Sequence, residues 1–370
     1  EAWITEEVVP TAAAAQEIHA KSAVLMDAGS GQLLFEKNAH QPMPPASITK
    51  IMTLLLVMEA IEDGQLRWED TAVCSDHAAS MGGSQIWLEP GEAMTVEELF
   101  KAAAVKSAND ASMVLAEQVS GSESAFVKQM NARAKALGMK DTVFKNPTGL
   151  DAEGHVSTAY DIALMSRELL KHPAVTRYTT IWMDSLRDGK TSFVTDLTNT
   201  NRLVRFYEGC TGLKTGTTDG AGSCLSASAT RQGLSLIAVS MGSDTSDQRF
   251  SACKTLLNYG FASFESFQPE VPAEELIPAD VIRGVEEQVE LKAGSCSPVL
   301  IPKGKGAEVT RTVTLPESVE APVKEGAVLG EAVFSLEGRI LARIPLTAAS
   351  GVNRMDFFTA FSLLLKSLLG

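Results

Sequence analysis

The chain has 370 residues, enough for two or three domains, and 45% of them are hydrophobic, which supplies a sizeable core and excludes global disorder. A formal net charge of −14 and a pI of about 4.9 argue against nucleic acid and against broad attachment to anionic lipid, since both need clustered Lys and Arg. Neither the Cys (Cys74, Cys210, Cys224, Cys253, Cys296) nor the His (His19, His40, His77, His155, His172) have metal-ligand spacing, so ordinary thiols and no catalytic metal are expected.

Residues 1–19 read as an N-terminal arm with a short helix over "TAAAAQEIHA". No apolar signal-like stretch precedes it, which fits either a cytosolic protein or a mature chain whose signal has been removed. "SAVLMDAGSGQLLFEKNA" is a hairpin, and a helix follows from Ile48 to about Asp63, with Pro45 suited to its first turn. The next hundred residues read as helices and loops. "TVEELFKAAAVK" carries a capping box at Thr95 and Glu98; "STAYDIALMSRELLKHP" repeats it at Thr158 and Asp161 and stops at Pro173. From residue 209 to 242 the pattern turns to strands, and "SDQRFSACKTLLNYGFASF" closes this region as a helix.

"QPEVPAEELIPAD" at 268–280 reads as a linker, and the short alternating runs beyond it as a small all-β domain. At the C-terminus, Phe357, Phe358, Phe361, Leu364, Leu365 and Leu368 fall on one helical face, too short to span a membrane, with Arg354 and Lys366 alongside.

The chemistry starts from "PPASITKIMT". Ser47 and Lys50 at i, i+3 share one helix face. A serine hydroxyl is a weak nucleophile until a neighbour takes its proton. A lysine can do so only if its pKa falls, through burial or a second cation. The pattern alone is weak: Ser251 and Lys254 repeat it in mid-helix, where a surface lysine is the simpler reading. Two further elements change the balance. "VKSANDAS" places Ser107 and Asn109 just past a helix end, where a loop can expose both. "CTGLKTGTT" places Lys214, the missing second cation, before Thr215 and Gly216 in an extended run where another backbone can approach closely.

The order Ser-x-x-Lys, Ser-x-Asn, Lys-Thr-Gly resembles the penicillin-recognising serine enzymes. Within them, the stretches "MPPASITKIMT", "AAAVKSANDAS", "FKNPTGLDAEGHVSTAYDIA" and "GLKTGTTDGAGSCLSASA" are most similar to the low-molecular-mass penicillin-binding proteins, serine D-Ala-D-Ala carboxypeptidases. The resemblance implies an α+β fold: a DD-peptidase/β-lactamase-like domain at 20–265, a β-rich domain at 266–350 and an amphipathic membrane-anchor helix at 351–370. It implies removal of the terminal D-Ala from peptidoglycan stem peptides through an acyl-enzyme, without a cofactor, and covalent inhibition by β-lactams. It also implies a peripheral position on the extracytoplasmic face of the bacterial cytoplasmic membrane, with a signal peptide removed.

Carried over residue by residue, Ser47 is the nucleophile and Lys50 its base. Ser107 and Asn109 relay protons and hold the substrate amide. Lys214, Thr215 and Gly216 line the far wall, and the backbone N–H groups of Ser47 and Thr217 form the oxyanion hole. Arg202 in "NTNRLVRFYEG" is favoured over Arg205 for the terminal carboxylate, which a guanidinium reads through its fork. His155 reads as structural, because the lysine already supplies a base. Three rivals remain at this point: a β-lactamase, lacking here an E-x-x-L-N stretch after Ser107; a transpeptidase; and a non-catalytic β-lactam or peptidoglycan binder.

Overall fold

The computed structural model describes residues 18–187, 194–361 and 365. The chain separates into two compact units, Glu1–Ser263 and Phe264–Gly370. The helix expected over "TAAAAQEIHA" lies mostly outside the described residues.

The first unit is built on a five-stranded antiparallel sheet. Its strands are β1 (Ser22–Asp27), β2 (Leu33–Lys37), β3 (Cys210–Thr218), β4 (Gly222–Arg231) and β5 (Leu234–Ser243), in the spatial order β2-β1-β5-β4-β3. All six residues of β1 are buried, so both faces of the sheet are covered. Side chains alternate between the faces of a strand. Val24, Met26, Ile237 and Val239 therefore join the helical core on one side. Leu25 and Leu236 point to the other, where they close on Gly260 of the helix α6 (Ser246–Ser263). A Cβ at Gly260 would come within 2.4 Å of Leu236, so the closeness of this helix to the sheet depends on that glycine.

The helical side is organised around α1 (Lys50–Glu62), in contact with α2 (Val96–Val105), α3 (Asn109–Ser120), α4 (Glu123–Ala136) and α5 (Ala159–Leu170). Ten of the thirteen α1 residues are buried, from Lys50 through Met58 and again at Ala60; a helix apolar on all sides belongs inside a core. The two capping signals form as the sequence indicates. Thr95 and Glu98 make the full reciprocal box, and the Thr158 hydroxyl accepts from the N–H of Asp161. The expected start of α1 is corrected in detail: Ala46–Thr49 is a 3-10 turn, and the α-helix proper begins at Lys50.

The second unit is strand-built. A four-stranded antiparallel sheet orders Leu291–Ala293, Arg339–Ala348, Val328–Leu336 and Thr310–Thr314. A three-stranded sheet orders Gln288–Val289, Ala279–Ile282 and Ser318–Glu320, the last pair parallel. Phe264–Phe267 pairs with Val299–Pro302. Phe334, Ile344 and Leu346 centre one core, and Val281, Val289, Val323 and Val352 another. Residues 357–361 are helical; of the rest of the expected anchor helix, residues 362–364 and 366–370 lie outside the described residues.

Candidate active site

Ser47 is half-buried on the 3-10 turn, and Lys50, the first residue of α1, is completely buried. The Lys50 Nζ sits 3.0 Å from Ser47 Oγ, 2.5 Å from Asn109 Oδ1 and 2.7 Å from the Thr148 carbonyl oxygen. An ammonium could donate to all three neighbours; in the neutral amine the same contacts assign the lone pair. A neutral amine has two N–H groups and one lone pair. Two of its neighbours are carbonyl oxygens, which can only accept. The lone pair is then left for the one neighbour with a proton, the Ser47 hydroxyl.

The charge state follows the same direction. Burial first, and the Lys214 ammonium second, push the Lys50 pKa well below its ordinary value, while the negative charge of Asp110 works against them. Lys214, on β3, is itself buried and lowered to about 7, by burial and then by the Arg249 guanidinium.

Asn109 opens α3 and is nearly inaccessible, as is Ser107, so the expectation that a loop exposes both side chains is corrected. Ser107 has a left-handed backbone, φ 65, between α2 and α3. The Asn109 amide is fixed at both ends, its Nδ2 donating to the Gly82 carbonyl at 2.7 Å while its oxygen takes Lys50.

Thr148 belongs to "NPTG". The Asn146 side-chain oxygen accepts from the N–H groups of Thr148 and Gly149 and from the Thr148 hydroxyl, an Asx-type turn. Gly149, at φ 84, is so close to the Ser47 turn that a Cβ would lie 1.8 Å from the Ala46 carbonyl oxygen. This turn is what carries the Thr148 carbonyl to Lys50.

The β3 strand is one of the two edges of the sheet among the described residues and runs past the Ser47 turn. Gly216 makes this possible: an added Cβ would meet Pro45 O at 2.9 Å and Ser47 N at 3.0 Å. The backbone of Ser47 and the Gly216–Thr217 segment are therefore neighbours. Thr217 is exposed, whereas Thr215 is buried with its hydroxyl donating to Thr200 Oγ1 at 2.6 Å.

Arg202 does not reach this strand among the described contacts. It is paired with Asp247 on the surface, with its guanidinium 4.6 Å from the Phe250 ring. Arg205 lies over Trp182 and Phe206. The guanidinium that touches the strand is Arg249 of α6, largely buried. Its Nη1 donates to Gly216 O at 3.0 Å and to Thr217 Oγ1 at 2.8 Å. Sequence reasoning passed over Arg249 because "SDQRFSAC" is an ordinary helix run; only the packing of α6 on the sheet brings it here.

His155 is structural in its contacts. Its Nδ1 accepts from the Lys145 N–H at 3.1 Å, which leaves Nε2–H to donate to Thr49 Oγ1 at 2.8 Å. Burial lowers it to about 4. The five Cys are free thiols, three of them buried.

Comparison with known proteins agrees with this arrangement. Residues 9–245 match the D-alanyl-D-alanine carboxypeptidase family, and residues 264–354 match the penicillin-binding protein 5 C-terminal domain. The chain is 42% identical over 341 residues to D-alanyl-D-alanine carboxypeptidase DacF of Bacillus subtilis, covering 92% of this chain and 87% of that protein. Penicillin-binding protein 5 from Haemophilus influenzae superposes with a TM-score of 0.75 at 32% identity, over 91% of this chain and 98% of that one. Penicillin-binding protein D2 from Listeria monocytogenes, in its ampicillin-bound form, gives a TM-score of 0.57 at 33% identity, over 66% of this chain and 98% of that one. With one match spanning the sheet-and-helix unit and the other the strand-built unit, the chain belongs to the serine D-alanyl-D-alanine carboxypeptidase family, the low-molecular-mass penicillin-binding proteins.

Proposed function

We propose that this serine D-Ala-D-Ala carboxypeptidase works through an acyl-enzyme on Ser47, with neutral Lys50 as its general base. The observation that carries the assignment is the setting of Lys50: it is fully buried, its pKa is pushed down by burial and by Lys214, and its Nζ lies 3.0 Å from Ser47 Oγ with two carbonyl oxygens to take the hydrogens of the neutral amine. Ser47 Oγ attacks the carbonyl of the penultimate D-Ala as its proton passes to Lys50. The tetrahedral oxyanion is received by the backbone N–H groups of Ser47 and Thr217, which the absence of a side chain at Gly216 brings together. Such donors contribute about 3–4 kcal/mol to the barrier. Collapse expels D-Ala, whose amine takes a proton through Lys50 and Ser107, and water then releases the shortened peptide.

The substrate's free carboxylate distinguishes a carboxypeptidase. Lys214 and Arg249 supply two buried cations beside the Gly216–Thr217 edge, with Arg249 Nη1 held on Gly216 O and Thr217 Oγ1. We assign the carboxylate to these two, with Thr217 as a hydroxyl donor, Thr215 in the wall with its hydroxyl donating to Thr200 Oγ1, and Arg202 at the exposed rim. The stem peptide extends along the β3 edge. A β-lactam mimics the same acyl donor and acylates Ser47.

The C-terminal tail supports a membrane-surface location. Phe357, Phe358 and Phe361 are 77%, 81% and 54% exposed, a costly face to leave in water. No helix among the described residues is long and apolar enough to cross a membrane, so the tail would lie in the interface. Removing residues 354–370 is expected to release the protein from membranes; a truncated protein that still pellets with them overturns this location.

The reaction is tested by intact mass after benzylpenicillin, followed by D-Ala release from a diacyl-Lys-D-Ala-D-Ala peptide. One adduct per chain and released D-Ala are expected. An adduct without D-Ala release would point to a transpeptidase or a binder, and no adduct would end the Ser47 assignment.

A further inference from the structure

Beside Asn109 stands a group that the mechanism above does not use. Asp110, fully buried, accepts three backbone N–H groups. Oδ2 takes Leu88 at 3.0 Å and Ile86 at 3.1 Å, and Oδ1 takes Ala111 at 2.9 Å. Two of the three donors come from one segment, residues 82–88. That segment returns two bonds to Asn109: the Ser84 carbonyl accepts the Asn109 backbone N–H at 2.7 Å, and the Gly82 carbonyl accepts its side-chain Nδ2 at 2.7 Å. The segment is also held from outside. Ser84 Oγ donates to Lys106 O, and Arg187 donates to Ile86 O.

The circuit has a consequence for orientation. An asparagine amide can present either its oxygen or its nitrogen to Lys50. Nitrogen facing an amine that must keep a lone pair for Ser47 would offer one donor too many. The Gly82 carbonyl excludes that orientation because it accepts only from nitrogen. Its position in turn depends on the 82–88 segment, which the Asp110 carboxylate fastens to the start of α3. The fit is tight: a Cβ at Gly83 would come within 2.8 Å of Asn109 Nδ2.

We propose that Asp110 is a positioning residue for acylation: it clamps the 82–88 segment so that Asn109 turns its oxygen to Lys50. The inference rests on Ser47 acylation as assigned above. The charged groups acting on Lys50 are Lys214 from β3 and Asp110 from α3; the "NPTG" turn contributes the neutral Thr148 carbonyl, and the 3-10 turn the Ser47 hydroxyl. Lys214 favours the neutral amine and Asp110 the ammonium. Without the carboxylate, Lys50 stays neutral to lower pH, so the acid limb of acylation moves down. The same loss loosens Asn109, so the plateau rate falls. A purely structural aspartate would give neither effect in a folded variant.

The experiment measures the rate of benzylpenicillin acylation by quenched intact mass from pH 4 to 9, beside a thermal melt, for the wild type, Asp110→Asn and Gly83→Ala. Asp110→Asn, folded, is expected to acylate about tenfold slower on the plateau with its acid limb about one pH unit lower. Gly83→Ala disturbs the same amide from the exposed side without removing a charge; it is expected to slow acylation by about fivefold with the acid limb unmoved. A folded Asp110→Asn protein with wild-type rate and limb overturns the proposal. If that variant does not fold, Gly83→Ala decides: a wild-type rate overturns the clamp, and a slowed rate supports it. Failure of the wild type itself to acylate at Ser47 is a separate result and refutes the Ser47 assignment instead.

Discussion

The molecule contains the same four-residue pattern twice, at Ser47–Lys50 and at Ser251–Lys254, with opposite outcomes. Both are helical, both set the serine and the lysine on one face, and in both the two residues between are buried. What differs is the direction of that face. On α6 the buried side carries Phe250, Cys253, Leu256, Leu257 and Gly260, so Ser251 and Lys254 point to water. At the start of α1 the lysine has no outward side, while Ser47 remains half-buried. Sheet, helices and the "NPTG" turn surround the lysine, which has nowhere to send its charge. Spacing brings the two groups together; burial among carbonyl oxygens and beside a second cation is what suits one pair to the nucleophile and base we propose.

The sharpest way to break the comparison is to delete each serine. Ser47→Ala is expected to abolish the penicillin adduct and lower kcat for D-Ala release by roughly 10⁵–10⁶, the scale of losing a nucleophile. Ser251→Ala is expected to leave both unchanged and the stability within about 0.5 kcal/mol. Intact mass and a D-Ala assay read both. An adduct surviving Ser47→Ala would make the two sites equivalent again.

The next effect concerns the cation from α6. Arg249 lies two residues before Ser251, on the buried side, and its contacts with Gly216 and Thr217 bring it to the site. Arg249→Ala is expected to raise KM for a D-Ala-D-Ala peptide about 10–100-fold, the equivalent of about 1.5–3 kcal/mol for a charged hydrogen bond, with a smaller change in kcat. A peptide amidated at its C-terminus should lose little, because it has no carboxylate to read.

That contrast also explains what was legible in the sequence. The meeting of Ser47, Lys50, Lys214 and Gly216 in space could be anticipated because local spacing and a glycine in a strand leave a mark in the chain itself. The hairpin, the two capping signals and the strand-rich second unit were legible for the same reason. Arg249 and Asp110 were not, because their roles come from packing: an arginine in mid-helix and an aspartate in a first turn look like surface residues until the sheet and the 82–88 segment close over them. Ser107 and Asn109 were found as types but placed wrongly on an exposed loop, since nothing local reports that a neighbouring segment covers them.

A subtler expectation concerns pH. In the proposed mechanism, acylation needs neutral Lys50 and charged Lys214. Lys50 is held well below the usual lysine range and Lys214 at about 7. On the acid side, kcat/KM falls as Lys50 takes a proton. On the alkaline side it falls as Lys214 loses one, beginning near neutrality. Bound carboxylate stabilises the Lys214 ammonium, so the alkaline limb of kcat should lie above that of kcat/KM. Because the Arg249 guanidinium helps to lower Lys214, Arg249→Ala should move the alkaline limb of kcat/KM upward while weakening binding. A limb that stays in place in that variant would mean Lys214 is not the group titrating there.

The smallest expected effect separates the two arginines that share Phe250. Arg202 and Arg249 lie 4.6 and 5.1 Å from its ring, so either could seem suited to a substrate carboxylate. Arg202, however, is half-exposed and already paired with Asp247, which is 85% exposed. Such surface pairs contribute about 0–1 kcal/mol, and water screens what the guanidinium could offer a ligand. Arg202→Ala is therefore expected to raise KM by less than about threefold, within that range. If Arg202→Ala instead raised KM as far as Arg249→Ala does, the carboxylate would have to reach out to the rim, and the buried pair of Lys214 and Arg249 would serve the acyl centre rather than the substrate terminus.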